Sequence, residues 1–192
     1  MSRKNFFDDH DNSSIIKEWN RKSIGEIIAK WNKEVPLHVN EFNKYDEDRS
    51  AVIYFALFVE FHINHTIGIL FPDFDSLLSS SSIGNKTNIL ASFRLLPKQI
   101  FEACRCINNI RNVFAHEFDI KSMNQLESFD GEKRKKTVDK LKLLTSEYHG
   151  DYEYELQADT IKNRFKSLCL NTITAFRIYE SQILLVREKL EK

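Results

Sequence analysis

Apolar residues recur at three- and four-residue spacing along most of this chain, which is the pattern of helices that bury one face. The pattern predicts five longer helices, over about 14–36, 48–70, 87–96, 98–111 and 158–189. Pro36 is expected to end the first of them. A weaker amphipathic pattern over 138–144 indicates at most one small helix within a mostly polar stretch.

The amino-acid composition and the chain length indicate the same fold class. Glycine (5) and proline (3) are scarce, which disfavours turn-rich β architectures. We therefore predict an all-α helical bundle of about four to six helices. A chain of 192 residues is long enough to bury one core. We assign residues 1–13 to a flexible N-terminal tail and 14–192 to a single all-α domain with its core at about 48–180.

The helix predicted over 48–70 carries apolar residues on two faces, so we expect it to be almost completely buried. A buried polar group without a partner costs about 1–3 kcal/mol, so Glu60 needs an arginine or several hydrogen-bond donors. His62 and His65 are spaced for a metal but lack a third ligand nearby, and packing or interface roles fit them better. These polar residues also argue against a membrane span over 51–71.

The charge balance and the cysteine content limit the kinds of binding partner and the cellular compartment that we predict. The 28 basic and 28 acidic residues balance, so an anionic partner requires a local basic patch. The basic run at 133–136 is more typical of a solvated face than of a nucleic-acid contact. An odd number of cysteines (3) argues against a disulfide framework and for a reducing compartment. With no signal-peptide pattern, we predict a soluble cytoplasmic protein without a metal or cofactor.

The best candidate site lies at 104–117, where an apolar helix leads into a polar group formed by Arg111, Asn112 and His116. Arginine binds phosphate through paired donors, and histidine exchanges a proton near neutral pH. Asn112 adds a donor and an acceptor. An unbroken helix would point Arg111 and His116 about 140° apart. We therefore expect a break near Phe114 that brings both side chains to one side.

The spacing of the arginine and the histidine carries little weight by itself. An arginine and a later histidine with four to six residues between them are expected about once by chance in this composition. Arg3 and His10 provide a second match in the predicted tail. The setting of Arg111 at the end of an apolar helix, with Asn112 beside it, makes the later match more selective.

Two interpretations of this group remain open. In one, Arg111 and His116 form a reactive site, and Glu60 pairs with Arg111 or joins them as a third polar member. In the other, the three residues form a buried network that fixes helix packing. An exposed His116 beside a basic cleft favours the first interpretation, and a buried His116 in a neutral groove favours the second. The basic residues expected around an exposed His116 are Arg105, Lys121 and those at 133–136.

The segment INNIRNVFAHE, at 107–117, resembles the motif of the HEPN superfamily. These all-α domains carry an arginine, a polar residue and a histidine after four to six positions. The resemblance covers about 51–176 and is closest to the mannitol operon repressor-like branch. That branch has an apolar helix with an internal acid, a short helix, an "IRN-x-FAH" segment and a helix similar to the one at 163–165.

Many HEPN proteins are metal-independent endoribonucleases in which two motifs of a homodimer meet at one site. The resemblance implies that His116 is the general acid or base, that Arg111 binds phosphate and the transition state, and that Asn112 orients them. Glu60 would hold Arg111 or join the site. The substrate would be RNA, cleaved by attack of a ribose 2′-hydroxyl on the adjacent phosphorus to leave a cyclic phosphate. Such an enzyme would act as a toxin or a phage-defence effector.

The repressor-like branch is associated with transcription regulation, so the resemblance also implies a non-catalytic module that binds a regulatory protein. An antitoxin is another partner that the superfamily implies. Toxins silenced by a nucleotidyltransferase antitoxin carry a tyrosine two residues after the histidine. Phe118 occupies that position here, which removes that modification site.

Overall fold

The structure, a computed structural model, describes residues 47–71, 81–92, 96–128, 131–147 and 160–190, together with nine positions between 26 and 40. Within these residues every regular element is a helix and none is a strand, which confirms the predicted all-α fold. The predicted tail at 1–13 and all of residues 148–159 lie outside the described residues, as does much of the first predicted helix.

Six helices have described bounds. They are α1 (Asp48–Leu70), α2 (Ile83–Ser92), α3 (Lys98–His116), α4 (Met123–Ser128), α5 (Glu132–Glu147) and α6 (Ile161–Leu190). The apolar pattern located α1 and α6 to within a few residues. It placed the start of α2 four residues late, ended α3 too early and gave no sign of α4.

Helical residues lie on both sides of Pro36. Residues 34, 36–38 and 40 are helical, but residue 35 is outside the described residues, so the predicted helix end at Pro36 stays a prediction. Proline lacks an N–H, but it fits the first turn of a helix, where that N–H has no intrahelical acceptor. Arg177 of α6 forms an ion pair with Glu34, which attaches this segment to the bundle.

Helix α1 runs parallel to α6. Asp48 at the start of α1 lies 2.6 Å from Lys162 at the start of α6, and His62 meets Glu180 about four turns later along α1 and five turns later along α6. The two helices pack together along their length, and α3 packs against both. The largest fully buried core side chains include Phe55, Ile63, Ile107, Phe114, Phe165 and Phe176.

The expected nearly complete burial of α1 is wrong. Its main stripe, from Val52 to Ile67, is buried, but Leu57 and Phe61 are 52% and 57% exposed. By length and composition alone α1 is a candidate membrane span, a property that it shares with the core helices of soluble proteins. In the fold, its buried face packs into the helical core.

Helix α4 begins with a side-chain cap that was not predicted from the sequence. The backbone N–H groups of Lys121 and Ser122 donate to Oε1 of Gln125, at 2.6 and 2.9 Å. Ser122 and Gln125 have the spacing of a capping box, which was the available sequence signal. Oδ2 of Asp48 accepts the N–H of Met123 at 2.7 Å, so the start of α1 also fixes the start of α4.

Candidate functional site

Helix α3 is continuous through the candidate motif, and the predicted break near Phe114 is wrong. The helix ends at His116, and the N–H of Glu117 still donates to the carbonyl of Val113 at 2.9 Å. Ile107, Ile110 and Phe114 are all buried, so the apolar face that fixes α3 in the core continues to its last turn. Arg111 and His116 consequently leave the helix about 140° apart.

The unbroken helix instead aligns a different set of polar side chains, which we call the polar stripe: Arg105, Asn109, Asn112 and His116. Their spacing of four, three and four residues places them within about 60° of one another along roughly 16 Å of helix. Arg105, Asn109 and His116 are exposed, and Asn112 is half-buried. The same spacing was visible in the sequence, where Asn109 was missed and Arg105 was named only as a basic neighbour.

Arg111 lies beside the polar stripe and is connected to it through Asn112. Its Nη1 donates to Oδ1 of Asn112 at 3.0 Å, and the guanidinium is half-buried. Within the described part of the chain no carboxylate forms an ion pair with Arg111. A guanidinium has five N–H donors, so this one contact leaves others for an incoming anion.

Glu60 does not form the expected pair with Arg111. It accepts a hydrogen bond from Nζ of Lys86 at 3.3 Å, and the Lys86 side chain is only 4% exposed. A buried ammonium needs a carboxylate beside it, so Glu60 pairs with Lys86 rather than with Arg111. The apolar pattern predicts the start of α2 at Thr87 and a loop at Lys86, so this pair was not predicted from the sequence. Among the described residues no hydrogen bond connects Glu60 to Arg111, Asn112 or His116.

A cleft of about 460 Å³ opens between α3 and α5. It is lined by Glu102, Arg105, Cys106, Asn109, Lys136, Thr137 and Lys140. Three cations face one carboxylate in this lining. A hydrogen bond from Lys140 lowers the pKa of Glu102, so that carboxyl is ionised at neutral pH and the cleft keeps a net positive charge.

The cleft and the polar stripe are continuous, because Arg105 and Asn109 belong to both. From Asn109 the stripe continues for two turns, about 10 Å, to His116. His116 is exposed, and it lies on the same face of α3 as the residues that line the basic cleft. This arrangement is the one expected of a reactive site rather than of a buried network. Lys121 is exposed in the connection after α3, and Lys136 is the member of the 133–136 run that lines the cleft.

The turn that follows His116 is held by Arg49, a residue for which the sequence offered no signal. Its Nη2 donates to the carbonyl oxygens of Glu117, Phe118 and Ile120, at 3.1, 3.3 and 2.9 Å. The Arg49 guanidinium also lies 5.7 Å from the ring centre of the exposed Phe118. Glu117 in turn forms an ion pair with Arg134 of α5. These contacts fix the C-terminal end of α3, and with it the position of His116.

The cysteines supply no nucleophile to the site. All three are free and buried. Burial raises the pKa of Cys104 and of Cys106, which lines the cleft, to about 12. Burial likewise raises the pKa of Cys169 well above its usual value. The reactive form of cysteine is the thiolate, so these thiols are inert near neutral pH.

A second polar cluster joins α1 to α6 around Glu180. Oε1 of Glu180 accepts from the Thr66 hydroxyl at 2.9 Å and lies 3.4 Å from Nδ1 of His62, while Oε2 lies 3.1 Å from Nδ1 of His65. Burial alone would raise the pKa of Glu180, but the hydrogen bond and charge of His62, helped by Thr66 and His65, lower it. In the described residues no group of three side chains is arranged to hold a metal ion. His62 and His65 thus take part in helix packing, one of the two roles expected for them.

Comparison with protein-family models, curated proteins and solved structures finds no match to this chain. The resemblance to the HEPN superfamily therefore rests on the motif at 107–117 and the order of the elements around it. It stays a prediction, and so does the function that it implies.

Proposed function

We propose that this protein is a metal-independent, HEPN-type endoribonuclease in which His116 transfers protons and Arg111 binds the reacting phosphate. The observation that carries the proposal is the exposure of His116 at the end of a polar stripe that leads into a basic cleft. A histidine used only for packing has no need of this setting. The alternative of a buried Glu60–Arg111–His116 network is weakened, because Glu60 pairs with Lys86.

The reaction needs few groups. A base removes the proton of the ribose 2′-hydroxyl, and the oxygen attacks the adjacent phosphorus. The bond from phosphorus to the 5′-oxygen breaks, an acid protonates that oxygen, and a 2′,3′-cyclic phosphate remains. Histidine serves in either proton transfer, and Arg111, which has no carboxylate partner among the described residues, stabilises the charge that develops on the phosphate oxygens.

A homodimer completes the site in this proposal. Within one protomer, Arg111 and His116 diverge, and the motif contains a single histidine, whereas the reaction uses both an acid and a base. Two motifs that face each other provide two histidines and bring Arg111 of one chain towards His116 of the other. The three protonated thiols suit the reducing cytoplasm, where RNA is abundant.

A non-catalytic regulatory module is the second candidate. The observation in its favour is the divergence of Arg111 and His116 on an unbroken helix. In that case the polar stripe would serve as a contact surface for a regulatory protein or an antitoxin.

A cleavage assay distinguishes the two candidate functions. End-labelled single-stranded RNA is incubated in EDTA with the wild-type protein, His116→Ala and the control Gln99→Ala, which alters an exposed residue at the other end of α3. We expect His116→Ala to lower the rate by about 100-fold or more, and Gln99→Ala to leave it unchanged. The product ends should be cyclic phosphates. Equal cleavage by wild type and His116→Ala would end the catalytic claim.

The dimer is tested separately by light scattering. We expect a species of twice the 22.6 kDa chain mass at micromolar concentration. A species of 22.6 kDa would contradict the composite site.

A further inference from the structure

The cleft between α3 and α5 has no role in the proton transfers, yet its lining is specialised. Three of its seven lining residues are cations, three are neutral polar or thiol residues, and none is aromatic. It opens towards solvent and follows the same face of α3 as His116. A ligand held there must be anionic, elongated and bound without base stacking, because aromatic side chains are the usual platforms for unpaired bases.

We propose that this cleft binds the phosphodiester backbone of single-stranded RNA a few nucleotides away from the bond positioned at His116. The inference rests on the proposed function and adds a subsite to it. Arg105 and Asn109 continue the polar stripe from His116 into the cleft, so one strand can follow α3 from the reacting bond to the cations. Contacts of this kind bind through charge and tolerate any base sequence.

Two of the three cations are free to change partners. Nζ of Lys136 lies 2.7 Å from Glu132, but both side chains are highly exposed, at 73% and 83%, so the pair is weak in water. Nη2 of Arg105 donates to Oδ1 of Asn88 at 2.8 Å, and its other donors remain for a phosphate. When a phosphate binds, each of these two cations can exchange its weak contact for a charge-assisted hydrogen bond to the phosphate, which is stronger.

Lys140 has a different role in the cleft. It forms an ion pair with Glu102, a carboxylate that also lies 3.4 Å from Lys98. Lys140 therefore joins α5 to α3 and keeps the walls of the cleft in place. Replacing it would disturb the packing of the two helices, so the informative substitutions are at Lys136 and Arg105.

The chain offers a matched control in Lys135. It precedes Lys136 on α5, is exposed and carries the same charge, but lies about 100° away around the helix and is not part of the lining. Lys135→Gln and Lys136→Gln thus change the net charge equally. They differ in whether the lost charge faces the cleft and in the weak, exposed pair of Lys136 with Glu132.

The test measures binding of a fluorescein-labelled 2′-O-methyl oligouridylate to the full chain in EDTA, by anisotropy, over roughly 50–200 mM salt. This probe lacks the 2′-hydroxyl nucleophile, so binding is separated from cleavage. For Lys136→Gln and for Arg105→Gln we expect a roughly 5- to 10-fold loss of affinity at the lowest salt, and a salt slope smaller by about 0.7. Lys135→Gln should retain wild-type affinity within about 2-fold.

Equal losses for Lys135→Gln and Lys136→Gln, no loss for either, or no binding of the probe to the wild type would each overturn the cleft proposal. Failure of the proposed function has a different signature, in which the probe binds as expected but unmodified RNA is never cut. If both proposals hold, Lys136→Gln should raise KM for unmodified RNA and leave kcat unchanged, because the cleft contributes binding and no proton transfer.

Discussion

Replacement of Glu180 by alanine tests the cluster that ties α1 to α6. Glu180 is 6% exposed, and its carboxylate is contacted by Thr66, His62 and His65. The buried contacts with Thr66 and His62 are worth about 1–2 kcal/mol each, and the contact with the half-exposed His65 adds little. Removing the carboxylate also leaves buried donors without an acceptor. We expect Glu180→Ala to lower the free energy of unfolding by about 3–4 kcal/mol.

Urea denaturation followed by circular dichroism measures this change as a lower midpoint with an unchanged m-value. Glu180→Gln keeps the shape and an acceptor for Thr66 but loses the charge, so it should cost about 1–2 kcal/mol. Gln182→Ala, two residues further along α6, is the control and should change stability by less than about 0.5 kcal/mol. A Glu180→Ala protein within that same margin of wild type would refute the account of a buried, charged carboxylate.

The pH dependence of stability tests independently whether Glu180 is charged in the folded state. The pKa of Glu180 is below its ordinary value of 4.5, so the folded state holds this carboxylate in its charged form. Its contribution is fully present above about pH 4.5 and is lost as the pH falls through the lower pKa of the folded state. His62 and His65 are the titratable groups that face it. Wild type should therefore lose more stability than Glu180→Gln on acidification below pH 4.5, and parallel losses would contradict the assignment.

Three further predictions concern the helix contacts around the candidate site. Arg49→Ala should destabilise the protein by about 1–2 kcal/mol and speed amide hydrogen exchange in the turn after His116, as measured by mass spectrometry. Glu60→Gln should cost about 2–3 kcal/mol because it leaves Lys86 buried without its counter-charge, and Glu60→Gln with Lys86→Met should recover most of that loss in urea denaturation. Cys106 should react with a thiol reagent at neutral pH much more slowly in the folded protein than in urea, because it is 2% exposed and burial raises its pKa to about 12.

The sequence predicted those helices whose stability comes from a long apolar face. The stripes of α1 and α6 extend over many turns, so their bounds followed from periodicity. Helix α2 was harder because its first turn contains Gly84, which signals a loop, and Lys86, whose burial cannot be foreseen unless the carboxylate that pairs with it is known. That carboxylate is Glu60, on another helix, and no local pattern connects the two.

The error at Phe114 had a different cause, because the information was present in the sequence. Ile107, Ile110 and Phe114 follow the helical repeat, and that repeat predicts a helix through His116. A break was expected only to bring Arg111 and His116 together in one chain. The apolar face outweighs that functional argument, since burying the Phe114 side chain contributes about 2–3 kcal/mol.

The continuous α3 changes which residues can act together. Asn112 and His116 are one helical turn apart on the same face, so in the proposed function Asn112 is the motif residue that would contact the same ligand as His116 within one protomer. Arg111 points elsewhere and touches this face only through its hydrogen bond to Asn112. Arg105 lies about 16 Å along α3 from His116, too far for both side chains to contact one phosphate. In the proposed function, an arginine that acts on the same phosphate as His116 must therefore come from a second copy of the chain. Catalysis with Arg111 would thus require the dimer, whereas binding of RNA along the polar stripe would not.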